Sequence, residues 1–272
     1  MVATFDGGRA GGYSLAGIPE RMGGHERTAA VKILNLGCGT AASDHPDVVN
    51  IDWSVYLRVR RSAWGRALAP VLFRGERRAR YDSLPGNVRV HDLSKGIPFP
   101  DGSVDVVYHS HLLEHLDREV AEAFLREVRR VLKAGGIHRI VVPDLEKICR
   151  AYLADVDACG ERPEEGGRHD EQVAALLEQS VRRGAAGTSR QKPFRRWVEA
   201  RVLEDARRRG ETHQWMYDRI NLGAKLRAAG HAEAQVRDWD DSAIPQWNEL
   251  GLDGDGRGGP RKPGSLYMEA RK

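Results

Sequence analysis

Apolar positions along this chain gather in short runs that stop at glycine, proline or an acidic residue. Val31, Ile33, Leu34 and Leu36 form one run, broken by Gly37-Cys38-Gly39-Thr40; Val48, Val49 and Ile51 form a second, ending on Asp52. Runs of this length between turn residues read as buried strands. Residues 31–52 therefore predict strand, glycine turn, short helix, strand and acidic tip. Residues 88–90 predict a third strand, followed by His91-Asp92-Leu93, and after the turn 97–103 the run 104–108 predicts a fourth. Asp117 is a candidate N-cap for a helix whose stripe is Val120, Phe124, Val128, Val131 and Leu132, closed by Lys133 and Gly135. A fifth strand, 137–142, halts at Pro143.

Beyond Pro143 the period changes. Residues 145–153 predict a helix, and the polar, arginine-rich stretch from about 154 to 210 contains two amphipathic stripes: Val173, Leu176, Leu177 and Val181, then Trp197, Val198, Val202 and Leu203. A helix is expected from His213 through Leu222 and Leu226 to Gly230, a sixth strand from Val236, and a seventh over 265–270. The Gly- and Asp-rich stretch 251–259 reads as a flexible connector. Between Asp52 and Val88, Val55, Val59, Ala63, Trp64, Ala67 and Leu68 fall near helical spacing, so one face is expected to pack while Arg58, Arg60, Arg61, Arg66, Arg74, Arg77, Arg78 and Arg80 coat the other. Residues 1–30 contain seven glycines and no sustained periodicity, the pattern of a mobile N-terminal arm.

Alternating strands and helices imply an α/β fold with a mostly parallel sheet, which binds ligands beyond the carboxyl ends of its strands. Gly37 and Gly39 permit backbone angles closed to other residues and let a ligand approach the main chain. An acidic residue closing the next strand suits a ribose diol, so a nucleoside-bearing cofactor is the first hypothesis. Gly37-x-Gly39-x-x-Ala42 also fits a dinucleotide fingerprint, and by itself does not decide which nucleoside is bound.

The order of motifs decides it. LNLGCGT, the acidic Asp52 after strand two, HDL after strand three, PFPDGSVDVVY, LLEHL and LKAGG closely resemble the class I S-adenosylmethionine-dependent methyltransferases, densely over about residues 31–153. The resemblance implies a Rossmann-like seven-stranded sheet with helices on both faces and the seventh strand antiparallel. It also implies a core over 31–153, a helical lid insertion over 154–210 that recognises the acceptor, and a return of the core over 211–272. S-adenosylmethionine is then the cofactor and S-adenosylhomocysteine the product. The expected cofactor contacts are Leu36, Gly37, Cys38, Gly39, Asp52 on the ribose, Trp53, Asp92 and Leu93 near the adenine, and His109, Ser110 and His115 near the methionine moiety.

The implied reaction is methylation of a small molecule, at oxygen, on a sugar-like or secondary-metabolite acceptor that the arginines would allow to be acidic. An RNA or protein methyltransferase, or a relative that binds the cofactor without methylating, is the alternative. A hydroxyl acceptor must lose a proton, and histidine titrates near neutrality. His111, just past strand four, is the first candidate base and His213 the second. His111-Leu112-Leu113-Glu114-His115 also matches the H-x-x-E-H pattern of inverted zinc proteases. Without a third ligand at a diagnostic spacing, no metal is expected.

Composition narrows little more. The 272 residues are 40% hydrophobic and 30% charged, with net charge +4 and pI near 9.0, a wet globular balance that by itself supports no nucleic-acid partner. Three cysteines, Cys38, Cys149 and Cys159, suggest neither a disulfide framework nor a zinc knuckle. No run approaches the ~20 apolar residues of a membrane span, and no signal pattern opens the chain. The expectation is a cytoplasmic protein without a membrane or nucleic-acid partner, with homo-oligomerisation left open.

Overall fold

The computed structural model describes residues 31–159, 166–179 and 212–272. The expected N-terminal arm and the stripe at 197–203 lie outside the described residues. Seven strands form one sheet in the order β3-β2-β1-β4-β5-β7-β6: β1 (Ile33–Leu36), β2 (Val48–Asp52), β3 (Val88–Val90), β4 (Val104–Ser110), β5 (Leu132–Pro143), β6 (Ala232–Arg237) and β7 (Ser265–Arg271). The pairs β3-β2, β2-β1, β1-β4 and β4-β5 are parallel, whereas β7 runs antiparallel to both β5 and β6. This is the Rossmann-like sheet expected from the motifs, with its switch of direction between β1 and β4. Ligands in such sheets bind at that switch, beyond the carboxyl ends.

The core lies on both faces of the sheet. On one face, α4 (Arg118–Val131) buries Phe124, Leu125 and Val128 against Val107, Ile140 and Val142, with Leu222 and Leu226 of α7 (Arg219–Ala228) beside them. On the other, Val106, Tyr108, Val141 and Tyr267 meet Ile244, Trp247, Leu250 and Leu252. Burying a side chain of this size contributes roughly 1.5–3 kcal/mol, so the two layers fix the sheet and with it the strand ends.

Several local expectations change. No helix forms between β1 and β2. The chain there is instead pinned by two buried amides: Asn35 Nδ2 donates to Asn50 Oδ1 at 2.9 Å, and Asn50 exchanges bonds with the Ser43 backbone. β5 begins at Leu132, five residues early, because Gly135 with φ +72° lets 132–136 pair before the regular ladder. The helix expected from His213 starts only at Arg219, where Asp218 caps it in a reciprocal box with Asn221. β6 starts at Ala232, ahead of Val236.

The excursion after β2 is three helices, α1 (Val55–Arg61), α2 (Ala63–Leu72) and α3 (Glu76–Asp82). Their buried residues are Leu57, Ala69, Phe73, Tyr81 and Leu84; of the expected stripe Val59 packs against them, whereas Trp64 is 82% exposed. The break at Ser62, which caps α2 through Gly65 N–H, rotates the second segment and ends the single period. The stretch 251–259 is not a loose connector either. Arg139, fully buried on β5, donates to Asp253 Oδ2 and Glu269 Oε1, both at 2.8 Å, and Tyr108 donates to Asp253 Oδ1 at 2.7 Å. Beyond β5, α5 (Leu145–Cys159) and α6 (Gly166–Gln179) pack together, joined by His169 and Asp155 at 2.8 Å. No helix among the described residues is long and apolar enough to cross a membrane.

Candidate active site

The carboxyl ends of β1, β2 and β4 meet at one edge, where Leu36 is in register with Ile51 and His109. Gly37 and Gly39 both take positive φ, +66° and +54°. A side chain at Gly37 would press on Leu112, whereas one at Gly39 would meet nothing within 4 Å. Gly37 therefore packs the turn closely, and Gly39 leaves main chain open to a ligand. The turn is tied to the second tip: Gly37 N–H donates to the Ile51 carbonyl, and Gly39 N–H donates to Asp52 Oδ2, both at 2.8 Å.

Asp52 is buried, which raises its pKa, while the Gly39, Ser54 and Trp53 amides draw it back. Asp92 is half-buried and uses Oδ1 to bond Ser94 N–H and Oγ, capping the turn Leu93–Lys95. Leu36 and Leu93 lie inside the core, so they back this edge rather than line it. Burial and the neighbouring Asp52 push the Cys38 thiol far above its usual range. Its sulfur stays protonated, and its small size is what the turn uses.

His109 does not face the ligand edge. It is fully buried beneath α4, edge-on to Phe124, with Nε2 3.0 Å from His138 Nε2, and burial lowers its pKa to about 3. Strand alternation is the reason: His109 shares the face of Val107, and Ser110 the other. Direct contact of His109 with a cofactor is corrected by this placement.

The segment after β4 gathers the titratable groups. His111 takes φ +50°, rare for a residue with a side chain, and Leu113–His115 is a single 3-10 turn. His111 and His115 therefore do not share a helical face, and the zinc-protease arrangement fails. His111 instead places Nδ1 3.3 Å from Glu114 Oε1 and Nε2 2.9 Å from Ser265 Oγ. That order, hydroxyl, imidazole, carboxylate, resembles a hydrolytic triad. Ser265, however, is buried on β7, which denies it a substrate.

Glu114 is fully buried, and neither carboxylate oxygen has a hydrogen-bond partner among the described residues; burial raises its pKa to about 8. His115 sets Nδ1 3.2 Å from the Thr212 carbonyl, fixing the proton there and leaving Nε2 as an acceptor 3.9 Å from Glu114 Oε1. Burial lowers the pKa of His111 to about 3 and of His115 to about 4. His213 stands edge-on to His115, ring centroids 4.9 Å apart. Glu114, His115 and His213 hold one donor atom each within 4.8 Å of one another, a set able to hold a cation. Both candidate bases thus reach the same carboxylate, from residues about a hundred positions apart. Asn35, Asn50 and Ser265 are the supporting residues that sequence reasoning missed; Glu114 was visible inside LLEHL, next to His115.

The sequence profile described as "Methyltransferase domain" matches residues 34–140, the stretch holding the glycine turn, both acidic tips, His111, Glu114 and His115. Residues 34–140 match a methyltransferase domain. No curated protein matches the sequence. Solved structures similar to the chain include the methyltransferase partner of the Haloferax volcanii Trm112 methyltransferase activator, at 15% identity, 89% of this chain, 82% of that chain and a TM-score of 0.38. A Mesorhizobium loti S-adenosylmethionine-dependent methyltransferase shares 18% identity over 89% of this chain and 91% of its own, with a TM-score of 0.38. For the S-adenosylmethionine-dependent methyltransferase SibL in its apo form the values are 16%, 90%, 51% and 0.39, so the chain spans about half of SibL. In this methyltransferase domain the strand order itself defines the architecture.

Proposed function

We propose that the chain methylates a small molecule at oxygen, on a sugar-like or secondary-metabolite acceptor. The observation that carries this reading is the cluster of His111, Glu114, His115 and His213 beside the glycine turn, where Leu112 packs on Gly37. Nitrogen acceptors can attack without such groups; a hydroxyl needs somewhere to put its proton. Gly37, Cys38 and Gly39 would carry the methionine part of the cofactor along the turn, with Asp52 and Trp53 at the ribose, Asp92 at the adenine, and Ser110 and His115 toward the sulfonium. His111 is the base. Burial keeps its imidazole neutral at physiological pH but also makes it a weak base, so its role rests on position rather than on basicity. In-line attack on the methyl carbon then depends mostly on positioning and exclusion of water.

The segment 154–210 serves as the cover over the acceptor, and exposed Arg61, Arg66, Arg74 and Arg80 favour an acidic one. The setting is cytoplasmic. Single-turnover transfer from S-adenosylmethionine to a panel of hydroxylated acceptors tests the reading. His111→Asn is expected to slow transfer ~10²- to 10⁴-fold with S-adenosylhomocysteine affinity nearly intact. Transfer that proceeds at the wild-type rate in His111→Asn and in His213→Asn removes both histidines from the chemistry.

A further inference from the structure

We infer that Glu114, His115 and His213 form a site for one divalent cation, which binds the acceptor hydroxyl. The expectation of no metal rested on the lack of a third ligand at a diagnostic spacing; the fold supplies it from 98 positions beyond His115. Three independent features converge. A fully buried carboxylate with no hydrogen-bond donor on either oxygen among the described residues is costly unless a cation or proton meets it. Glu114 Oε1 and His115 Nε2 stand 3.9 Å apart, too far for a hydrogen bond; two donors at ~2.0–2.2 Å from one tetrahedral ion lie ~3.3–3.6 Å apart, so a small side-chain rotation brings this pair to ligand spacing. The Thr212 carbonyl, by holding His115 Nδ1–H, turns the Nε2 lone pair inward, as outer-shell partners of metal-bound histidines do.

Two imidazoles and one carboxylate suit a borderline ion such as Zn²⁺, Co²⁺ or Mn²⁺ and leave coordination positions open. His111, 3.3 Å from Glu114, lies beside those positions. For its role, though not for its existence, the site rests on the methylation reading above. The acceptor oxygen would bind the ion, which lowers its pKa; the proton passes to His111. The oxygen lone pair then forms the C–O bond as the C–S bond breaks, and its electron pair stays on sulfur as the neutral thioether of S-adenosylhomocysteine.

The test uses full-length protein stripped with a chelator and titrated with Co²⁺, read by calorimetry and by the visible absorption of protein-bound Co²⁺. One ion per chain is expected, with affinity at least ~100-fold weaker in Glu114→Gln and in His213→Asn, since losing even an outer-shell partner costs ~10- to 100-fold. Cys149→Ser should bind as wild type, which excludes a thiol site. Circular dichroism and S-adenosylhomocysteine binding report whether each variant is folded, and His213→Asn serves if Glu114→Gln is not. No saturable Co²⁺ binding, or equal binding by folded wild type and variants, overturns the site. Methyl transfer unaffected by chelator overturns its role while leaving the methylation reading standing. Saturable binding lost in both variants, with transfer abolished by chelator and restored by Co²⁺, Mn²⁺ or Zn²⁺, upholds both.

Discussion

At the scale of single residues, Asp52 does two jobs that a substitution can separate. Its Oδ2 receives the Gly39 amide, so the carboxylate fixes the glycine turn as well as facing the ligand edge. Asp52→Ala should weaken S-adenosylhomocysteine binding by ~1.5–3 kcal/mol, the range for a charged hydrogen bond. Asp52→Asn keeps an oxygen for Gly39 but loses the charge, and should fall between alanine and wild type. Titration calorimetry on the three proteins decides: equal affinities would remove Asp52 from the cofactor site. The placement of Gly37, Gly39 and Asp52 was legible because it follows from backbone freedom and position at a strand end, both local properties. His109 was misplaced although the period-two pattern held the answer, since it shares a face with the core residue Val107. Ser265 could not be found at all. Its bond to His111 spans 154 positions, and nothing near it in sequence distinguishes it from a polar strand residue.

Among elements, strands proved easier to read than helix faces or loops. A parallel strand buried on both sides is a continuous apolar run, so β1, β2 and β4 announce themselves. The arginine-rich excursion misled because a single helical period was drawn through a stretch that Ser62 divides, and each piece packs its own residues, Leu57 in α1 and Ala69 with Phe73 beyond it. The loop 251–259 misled for the opposite reason. Glycine and aspartate suggested slack, yet Asp253 completes a buried ion network on Arg139 from a strand 114 positions earlier. Glu269 shares the guanidinium, and the carbonyls of Asp238, Trp239 and Asp241 take its remaining donors. Removing one partner leaves charge uncompensated in the interior, so Asp253→Ala should destabilise the fold by about 3–5 kcal/mol. Urea denaturation measures it. A loss below ~1 kcal/mol would return the loop to the status of a passive connector.

For the whole molecule, the interior holds a row of histidines that ties stability to pH. His109, His138 and His231 stand ring to ring under α4, with centroid spacings of 5.1 Å and 5.1 Å, and each keeps a buried Nδ1 with no hydrogen-bond partner among the described residues. Around them are the Phe124 ring and the Leu125 carbonyl of α4, and the cations Arg129 and Lys272 act on His231. Burial lowers all three pKa values, that of His109 to about 3 and that of His138 well below its ordinary range. In the unfolded chain each would titrate near 6.5. As pH falls through that value the unfolded state takes up protons first, and stability is lost; above it the contribution is flat. Each histidine is then worth roughly 1 kcal/mol over the first pH unit below 6.5, since one pKa unit corresponds to about 1.4 kcal/mol. Buried Asp52 and Glu114 act in the opposite sense, because their raised pKa values favour proton uptake by the folded state. The row is therefore isolated by comparison, not by the wild-type profile alone. Unfolding free energies at pH 7.5, 6.5 and 5.5 should fall less steeply in His138→Gln than in wild type, by about one histidine's share, even if the variant is weaker at pH 7.5. Parallel profiles would mean that His138 titrates alike in the folded and the unfolded chain, and the desolvated row would not be the source of acid sensitivity.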